Sequence, residues 1–192
     1  DFNLQTDSQA PSITVNPVAL DITTALLPAG VVGTPYSGIV QASGGVPPYP
    51  AGSHIGVTVL IDGQPARRSY SLVENSDPST YRIAVRLAPD SRGGSHGMWS
   101  LRAGARIETS NPTSLLDIDW TRRNYCLIAG GIGITPITTI AAALRRRNIE
   151  AKLHYAVKSR DDAAFLDELS AMLDDRLIVH ASDEGARIDL DA

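Results

Sequence analysis

The chain has 192 residues, of which 43% are hydrophobic and 20% charged, and its net charge is −4 at neutral pH. That length holds one full domain and part of a second, the apolar share is enough for packed cores, and no basic excess marks a nucleic-acid surface. No apolar run reaches membrane-spanning length, no charged start with an apolar segment marks a signal peptide, and the one cysteine, Cys126, excludes a disulfide framework.

Short strands separated by Pro and Gly turns are predicted over residues 12–15, 18–22 and 36–42. A further strand begins near Pro65. In Arg67-Arg68-Ser69-Tyr70-Ser71-Leu72, alternation puts Arg68 and Tyr70 on one face and Ser69 and Ser71 on the other. Arg forks onto phosphate, Tyr stacks on a ring, and Ser reaches a heteroatom, so the set suits a phosphorylated aromatic cofactor. Taken alone, it reads as an ordinary amphipathic strand. A strand over 81–87 leads to Asp90-Ser91-Arg92-Gly93-Gly94-Ser95 and a short helix over 95–101. Glycines and serines at a helix start form an anion nest, with Arg92 adjacent. Alone, this segment reads as a plain loop. Met98 and Trp99 are predicted to pack beneath it.

Tyr125-Cys126-Leu127-Ile128-Ala129 has the composition of a buried parallel strand, which makes Cys126 an inert core thiol. Gly130, Gly131 and Gly133 follow. Thr135-Pro136 then starts a helix, with Thr suited to the cap and Pro to the first turn. Strand, glycine turn and helix N-terminus make a place for a phosphate. The spacing is not G-x-G-x-x-G, and alone the turn reads as close packing of helix on sheet. Strands over 125–129, 151–157 and 176–181 alternate with helices over 136–147 and 161–173, predicting a parallel sheet. Arg145-Arg146-Arg147 is read as a contact with the first helix's dipole. His54, His96, His154 and His180 lack helical metal spacing and fall on different elements, so core or surface roles are expected. The acid pairs at 161–162, 174–175 and 183–184 read as solvated ends and loops.

The motifs in this order resemble the flavin reductases of the ferredoxin–NADP reductase superfamily. The match is to the phthalate dioxygenase reductase type, which includes vanillate demethylase reductases. The matching text is Ala51-Gly52-Ser53-His54-Ile55, Arg68-Ser69-Tyr70-Ser71-Leu72, Ser91-Arg92-Gly93-Gly94-Ser95 and Leu127 to Pro136, then Leu153-His154-Tyr155-Ala156 and the segment 159–166. It extends from about Pro48 to the C-terminus. The resemblance implies an FMN-binding Greek-key β-barrel over 48–118 and a truncated parallel-sheet nucleotide-binding α/β domain over 119–192. It implies that Arg68, Ser69, Leu72, Arg92 and the Gly93-Gly94-Ser95 turn belong to the FMN site, with Arg68 and the turn on the phosphate. Tyr70 and Ser71 would line the flavin ring, Ser71 near its reactive nitrogen. Gly130, Gly131 and Gly133 would take the pyrophosphate of NAD(P)H, and Pro136 would belong to the cofactor-binding set. Thr135 would sit where nicotinamide meets flavin, and Ser159 and Arg160 near the adenosine ribose. Arg160 could meet a 2′-phosphate, while Asp161 or Asp162 would oppose one, so NADH and NADPH both stay open. The implied reaction is hydride transfer from NAD(P)H to FMN. Electrons then pass to an iron–sulfur protein or the oxygenase component of an aromatic-ring oxygenase or demethylase, in the cytoplasm.

The chain departs from that pattern in two ways. A 2Fe–2S cluster needs four thiolates, so one cysteine excludes a cluster in this chain. Residues 1–47 do not match the family's opening barrel strands. The segments 27–38 and 42–49 resemble half of a bacterial immunoglobulin-like module instead. Backbone pairing tolerates many side chains, so strands from this segment can fill the two vacant barrel positions. The alternative function is a non-enzymatic, secreted or surface Ig-like protein fused to an inactive reductase fragment.

Overall fold

A computed structural model of the chain describes residues 19–22, 36–43, 49–74, 80–87, 92–102 and 104–188, the first two stretches as backbone. The strand expected over 12–15, most of the Ig-like text, and Asp90 and Ser91 lie outside the described residues.

The first half is antiparallel. Its strands are β1 (Ala19–Ile22), β2 (Tyr36–Ser43), β3 (His54–Ile61), β4 (Gln64–Ser71), β5 (Thr80–Leu87) and β6 (Arg106–Glu108), with helix α1 (Gly94–Trp99) between the last two. Asp62 and Gly63 connect β3 to β4 with positive φ of 52° and 76°. Two left-handed residues in a two-residue loop match the twist of a hairpin. This turn fixes the register that sets Arg68 opposite Val57 and Tyr70 opposite Ile55.

β5, β2, β1 and β6 form one sheet in that order. β2 pairs with β5 from Tyr36↔Leu87 to Ser43↔Thr80, and β1 pairs with both β2 and β6. The strands expected over 18–22 and 36–42 are thus found as Ala19–Ile22 and Tyr36–Ser43, two paired strands of this sheet. Isolated bridges tie the β3–β4 hairpin to its two sides, Leu72↔Ile83 on one and Val57↔Thr109 and His54↔Thr113 on the other. Among the described residues continuous ladders therefore do not close a barrel, because these joins are thinned to isolated bridges. Inside lie Ile55, Val57, Val59, Leu72, Ile83, Val85 and Met98. Met98 is fully buried under the Gly93 turn, as its position after that turn predicts.

The second half is a parallel sheet of β7 (Asn124–Gly130), β8 (Glu150–Val157) and β9 (Leu177–Ala181), with α2 (Ile134–Arg146) and α3 (Leu166–Leu173) between successive strands. Leu127, Leu153 and Tyr155 pack with Ile134, Ile140 and Leu144 of α2 and Leu169 and Leu173 of α3. Among the described residues only this face is covered. Ile128 is 52% exposed and Cys126 is exposed, so β7 is not the doubly buried strand its apolar run predicts, and Cys126 is not a core thiol. A short apolar run does not by itself separate one-faced from two-faced burial.

Two helix starts also differ from expectation. A 3-10 turn, Gly131–Gly133, precedes α2, which makes Thr135 its second residue and Pro136 its third. The Thr135 hydroxyl donates to the Ile132 carbonyl at 3.0 Å instead of capping a free N–H. The helix expected over 161–173 is split into a 3-10 turn at Arg160–Asp162 and α3, separated by Phe165 with φ 62°.

Candidate functional site

β4 and the turn before α1 build the first part of the site. Arg68 and Tyr70 are half-buried on one face of β4 while Ser69 is exposed, as alternation predicts. The Arg68 side chain crosses Gly94: a Cβ there would lie 2.8 Å from Arg68 Nε. The Tyr70 hydroxyl donates to the Gly94 carbonyl at 3.4 Å. Burial pushes the Tyr70 phenol up, and the Arg68 charge partly opposes this. Gly93 has φ 86°, and a side chain there would collide with Ile61 Cγ2. Next along the turn, Ser95 Oγ is buried with no hydrogen-bond partner among the described residues. A buried hydroxyl left unpaired is costly, so this atom is poised for a ligand oxygen. Arg68 Nη1 donates to the Arg67 carbonyl at 2.9 Å, which leaves most of its five donors for an anion. Arg92 stands exposed at the mouth of the turn. Ser71 is half-buried, opposite His54 in register. Leu72 is fully buried in the core, and its N–H donates to the Ser53 carbonyl at 2.8 Å, so its side chain cannot line a ligand.

The glycine turn after β7 builds the second part. Cβ atoms at Gly130 and Gly133 would meet nothing within 4 Å, and one at Gly131 would meet Arg86 Nη1 at 3.9 Å. The turn is therefore open, with a guanidinium from β5 at its edge. Arg86 is exposed, and no salt bridge holds it among the described residues. Sequence reasoning passed over this residue. Its one signal is alternation, which turns it outward next to the buried Val85.

The turn is anchored from below. The hydroxyl of the fully buried Tyr155 donates to the Gly131 carbonyl at 3.1 Å. Burial pushes this phenol up to about 12, while a hydrogen bond from the Ala164 backbone and the Arg86 charge pull the other way. A raised folded-state pKa stabilises the fold at every pH below the unfolded value near 10, and that contribution disappears as pH climbs to about 12. Tyr155→Phe is therefore expected to lower the melting temperature at neutral pH. It is also expected to flatten the decline between pH 10 and 12 that the unmodified chain shows in thermal melts. Equal declines in both proteins would refute this assignment.

Thr135, 7% exposed, sits beside the turn with its hydroxyl proton already committed to Ile132. Pro136, in the same first turn of α2, lacks the N–H that would go unpaired there. Ser159 Oγ donates to Asp162 Oδ2 at 3.2 Å, and Arg160 Nε pairs with Glu184 at 2.9 Å.

Polar contacts join the two parts. The Gly52 N–H donates to Thr139 Oγ1 at 2.8 Å and the Glu74 N–H to Thr138 Oγ1 at 3.2 Å. Arg82 of β5 forks onto Glu168 of α3 at 2.7 and 3.0 Å, donates to the Glu74 carbonyl at 3.0 Å, and lies over the Phe165 ring. The arginine run at the end of α2 does more than face a dipole: Arg146 pairs with Glu74 at 2.6 Å, and Arg147 stacks on Trp120 at 4.2 Å. His154 and His180, expected apart, are brought together with Nδ1 and Nε2 3.1 Å from each other. Among the described residues no group of three or more His, Cys, Asp or Glu is placed to hold a metal, and no helix is long and apolar enough to cross a membrane.

No protein-family model matches the chain. Over 148 residues it is 34% identical to the carnitine monooxygenase reductase subunit of Escherichia coli, covering 76% of this chain and 46% of that protein. Over 136 residues it is 40% identical to a vanillate O-demethylase oxidoreductase of a Pseudomonas species, covering 68% and 41%. The structure of phthalate dioxygenase reductase, described as modular for electron transfer from pyridine nucleotides to 2Fe–2S, matches with a TM-score of 0.72 and 29% identity over 86% of this chain and 51% of that one. The chain spans just under half the length of the curated relatives it matches. Its fold is ferredoxin reductase-like. Within that fold, the chain is a homologue of the reductase subunits of oxygenase systems.

Proposed function

We propose that this chain is the flavin- and nucleotide-binding portion of an oxygenase or demethylase reductase. It takes hydride from NADH onto FMN and hands electrons to an iron–sulfur or oxygenase partner. The observation that carries the reading is Arg68 lying across Gly94, next in the chain to the buried, unpartnered Ser95 Oγ, a donor set that fits a phosphate monoester. Bound there, FMN supplies the ability to accept electrons as a pair and release them singly. Arg68 and Ser95 hold its phosphate, and Arg92 adds positive charge at the mouth. Tyr70 and Ser71 would line the ring, with Ser71 near its reactive nitrogen, and Ser69 would belong to the same stretch of the site. The two paired sheets and their bridges act as the Greek-key barrel of the family, with strands from the Ig-like segment filling its first positions.

The nucleotide would be held at the carboxyl ends of β7 and β8. Gly130, Gly131 and Gly133 let its pyrophosphate approach the backbone, and Arg86 supplies the counter-charge. Thr135 and Pro136 border the nicotinamide, with Ser159 and Arg160 at the adenosine end. Arg86→Ala is expected to raise KM for NADH about 10–100-fold with kcat nearly unchanged, the loss of one charge-assisted contact made equally in ground and transition states. Steady-state kinetics at saturating FMN check it, and an unchanged KM would remove Arg86 from the site.

Glu184 occupies the Arg160 guanidinium, which favours NADH over NADPH. Glu184→Gln frees that guanidinium. The pair is exposed, so the expected gain in kcat/KM for NADPH over NADH is about 2- to 5-fold. A ratio that stays fixed would place the 2′-position elsewhere. The reading carries a cytoplasmic location with it, where nicotinamide nucleotides are the reductant.

Visible spectra with added FMN, before and after anaerobic NADH, test the whole reading. Retained flavin that NADH bleaches supports it. Retained flavin that NADH leaves oxidised removes the nucleotide role. A folded chain that retains no flavin removes the enzyme and leaves the non-enzymatic Ig-like alternative.

A further inference from the structure

The face of the parallel sheet opposite α2 and α3 carries a feature that hydride transfer does not use. His154 on β8 and His180 on β9 project from this face. The register pairs His154 with Ile178 and Ala156 with His180, so the two imidazoles are diagonal neighbours. Their rings are stacked, with centroids 5.3 Å apart and planes 19° apart, and His154 Nδ1 lies 3.1 Å from His180 Nε2. Both rings are partly exposed.

We propose that His154 and His180 form a two-imidazole site for a borderline divalent transition ion such as Zn2+ or Ni2+, with water completing the coordination shell. Two nitrogens each about 2.0–2.1 Å from one metal stand about 3 to 3.4 Å apart at angles between square and tetrahedral. The observed separation falls in that range, so the two nitrogens need not move apart, and the rings turn until their lone pairs face the ion instead of each other. Imidazole is the ligand type these ions share, and a neutral nitrogen is what they bind. In the metal-free pair one ring donates its N–H to the other. On metal binding that ring carries its proton on its other nitrogen instead, by exchange through water, so that each ligating nitrogen presents a lone pair. The two strands are rigid β8 and β9, which pre-position the pair. His180 shares its register row with Ala156 and Gly130, the last residue of β7 before the glycine turn. A bound ion would therefore staple two strands directly beside the nucleotide end of the sheet.

The test is calorimetric titration of the purified chain with Zn2+ and with Ni2+, read together with the shift in melting temperature. The expected result is saturable binding of one ion per chain with a rise in melting temperature, because an ion that binds only the folded form stabilises it. Both signals should vanish in His154→Gln and in His180→Gln, which keep side-chain volume and hydrogen bonding. They should survive in His96→Gln, which alters an exposed imidazole elsewhere. Flavin retention provides an independent check that each variant is folded, because neither histidine belongs to the flavin site. Absence of saturable binding would overturn the proposal. So would binding that persists in either His154→Gln or His180→Gln. Neither outcome bears on the reductase reading, which stands on the FMN and NADH spectra.

Discussion

Gly93→Ala is expected to strip the protein of FMN while the parallel sheet stays folded. Gly93 has φ 86°, a conformation that costs a residue with a Cβ about 1–3 kcal/mol. The added methyl also runs into the side chain of Ile61, an overpacking penalty of about 1–3 kcal/mol more. Moving the turn is easier than moving β3, because Ile61 ends a strand whose inward residues Val57 and Val59 are fixed in the core. The turn would shift, and Gly94 and Ser95 with it. That moves Gly94 off Arg68 and carries Ser95 with it, which dismantles the proposed phosphate donors as a set. FMN fluorescence titration should show affinity weakened by at least about 100-fold, the equivalent of one or two lost charge-assisted hydrogen bonds. Far-UV circular dichroism should be nearly unchanged. Tight FMN binding by this variant would mean that the phosphate is held elsewhere.

Arg82→Ala is expected to slow flavin reduction by about 100-fold with FMN affinity intact, the scale of loss that a displacement of about 1 Å brings to a reacting pair. From β5, the Arg82 side chain reaches both α3 and the Glu74 backbone. Its side chain is 15% exposed against 48% for Glu168, so the fork is partly shielded from solvent and more than a surface ion pair. Its guanidinium also covers Phe165, whose left-handed backbone conformation starts α3. Without Arg82, Glu168 loses its partner and Phe165 its cover, and α3 is free to drift from β5. The flavin cradle on β4 does not depend on this joint, but the approach of the glycine turn to it does. Anaerobic stopped-flow reduction by NADH reads the effect. Arg82→Lys keeps the charge without the fork and should recover little of the rate. A rate equal to the parent's would show that the other contacts, Gly52 to Thr139 and Glu74 to Arg146, fix the geometry unaided.

Much of the architecture is local and therefore legible. The alternation in residues 67–72 places Arg68 and Tyr70 together because a strand's side-chain period is fixed by its pleat. The glycines after Ala129 announce a strand-to-helix turn, and Gly131, with φ 49°, takes a conformation that other residues rarely adopt. What sequence does not carry is pairing. Arg86 meets the Gly131 turn, and His154 meets His180, only through tertiary register. Arg146 finds Glu74 from 72 positions away, which no local pattern encodes. The apolar run at 125–129 gives no sign of which face stays open, and Phe165 is an unusual choice for a left-handed position that propensity assigns to Gly or Asn.

The open position of Cys126 has a practical consequence. It is the chain's one cysteine, it is exposed, and it lies two residues before Ile128 on the uncovered face of β7. One maleimide dye would therefore attach at one known place, on a rigid strand, without mutagenesis. Any helix, subunit or electron acceptor that settles onto this face would shield the dye and slow its attachment. The native thiol is thus a built-in footprinting reporter for whatever completes the assembly.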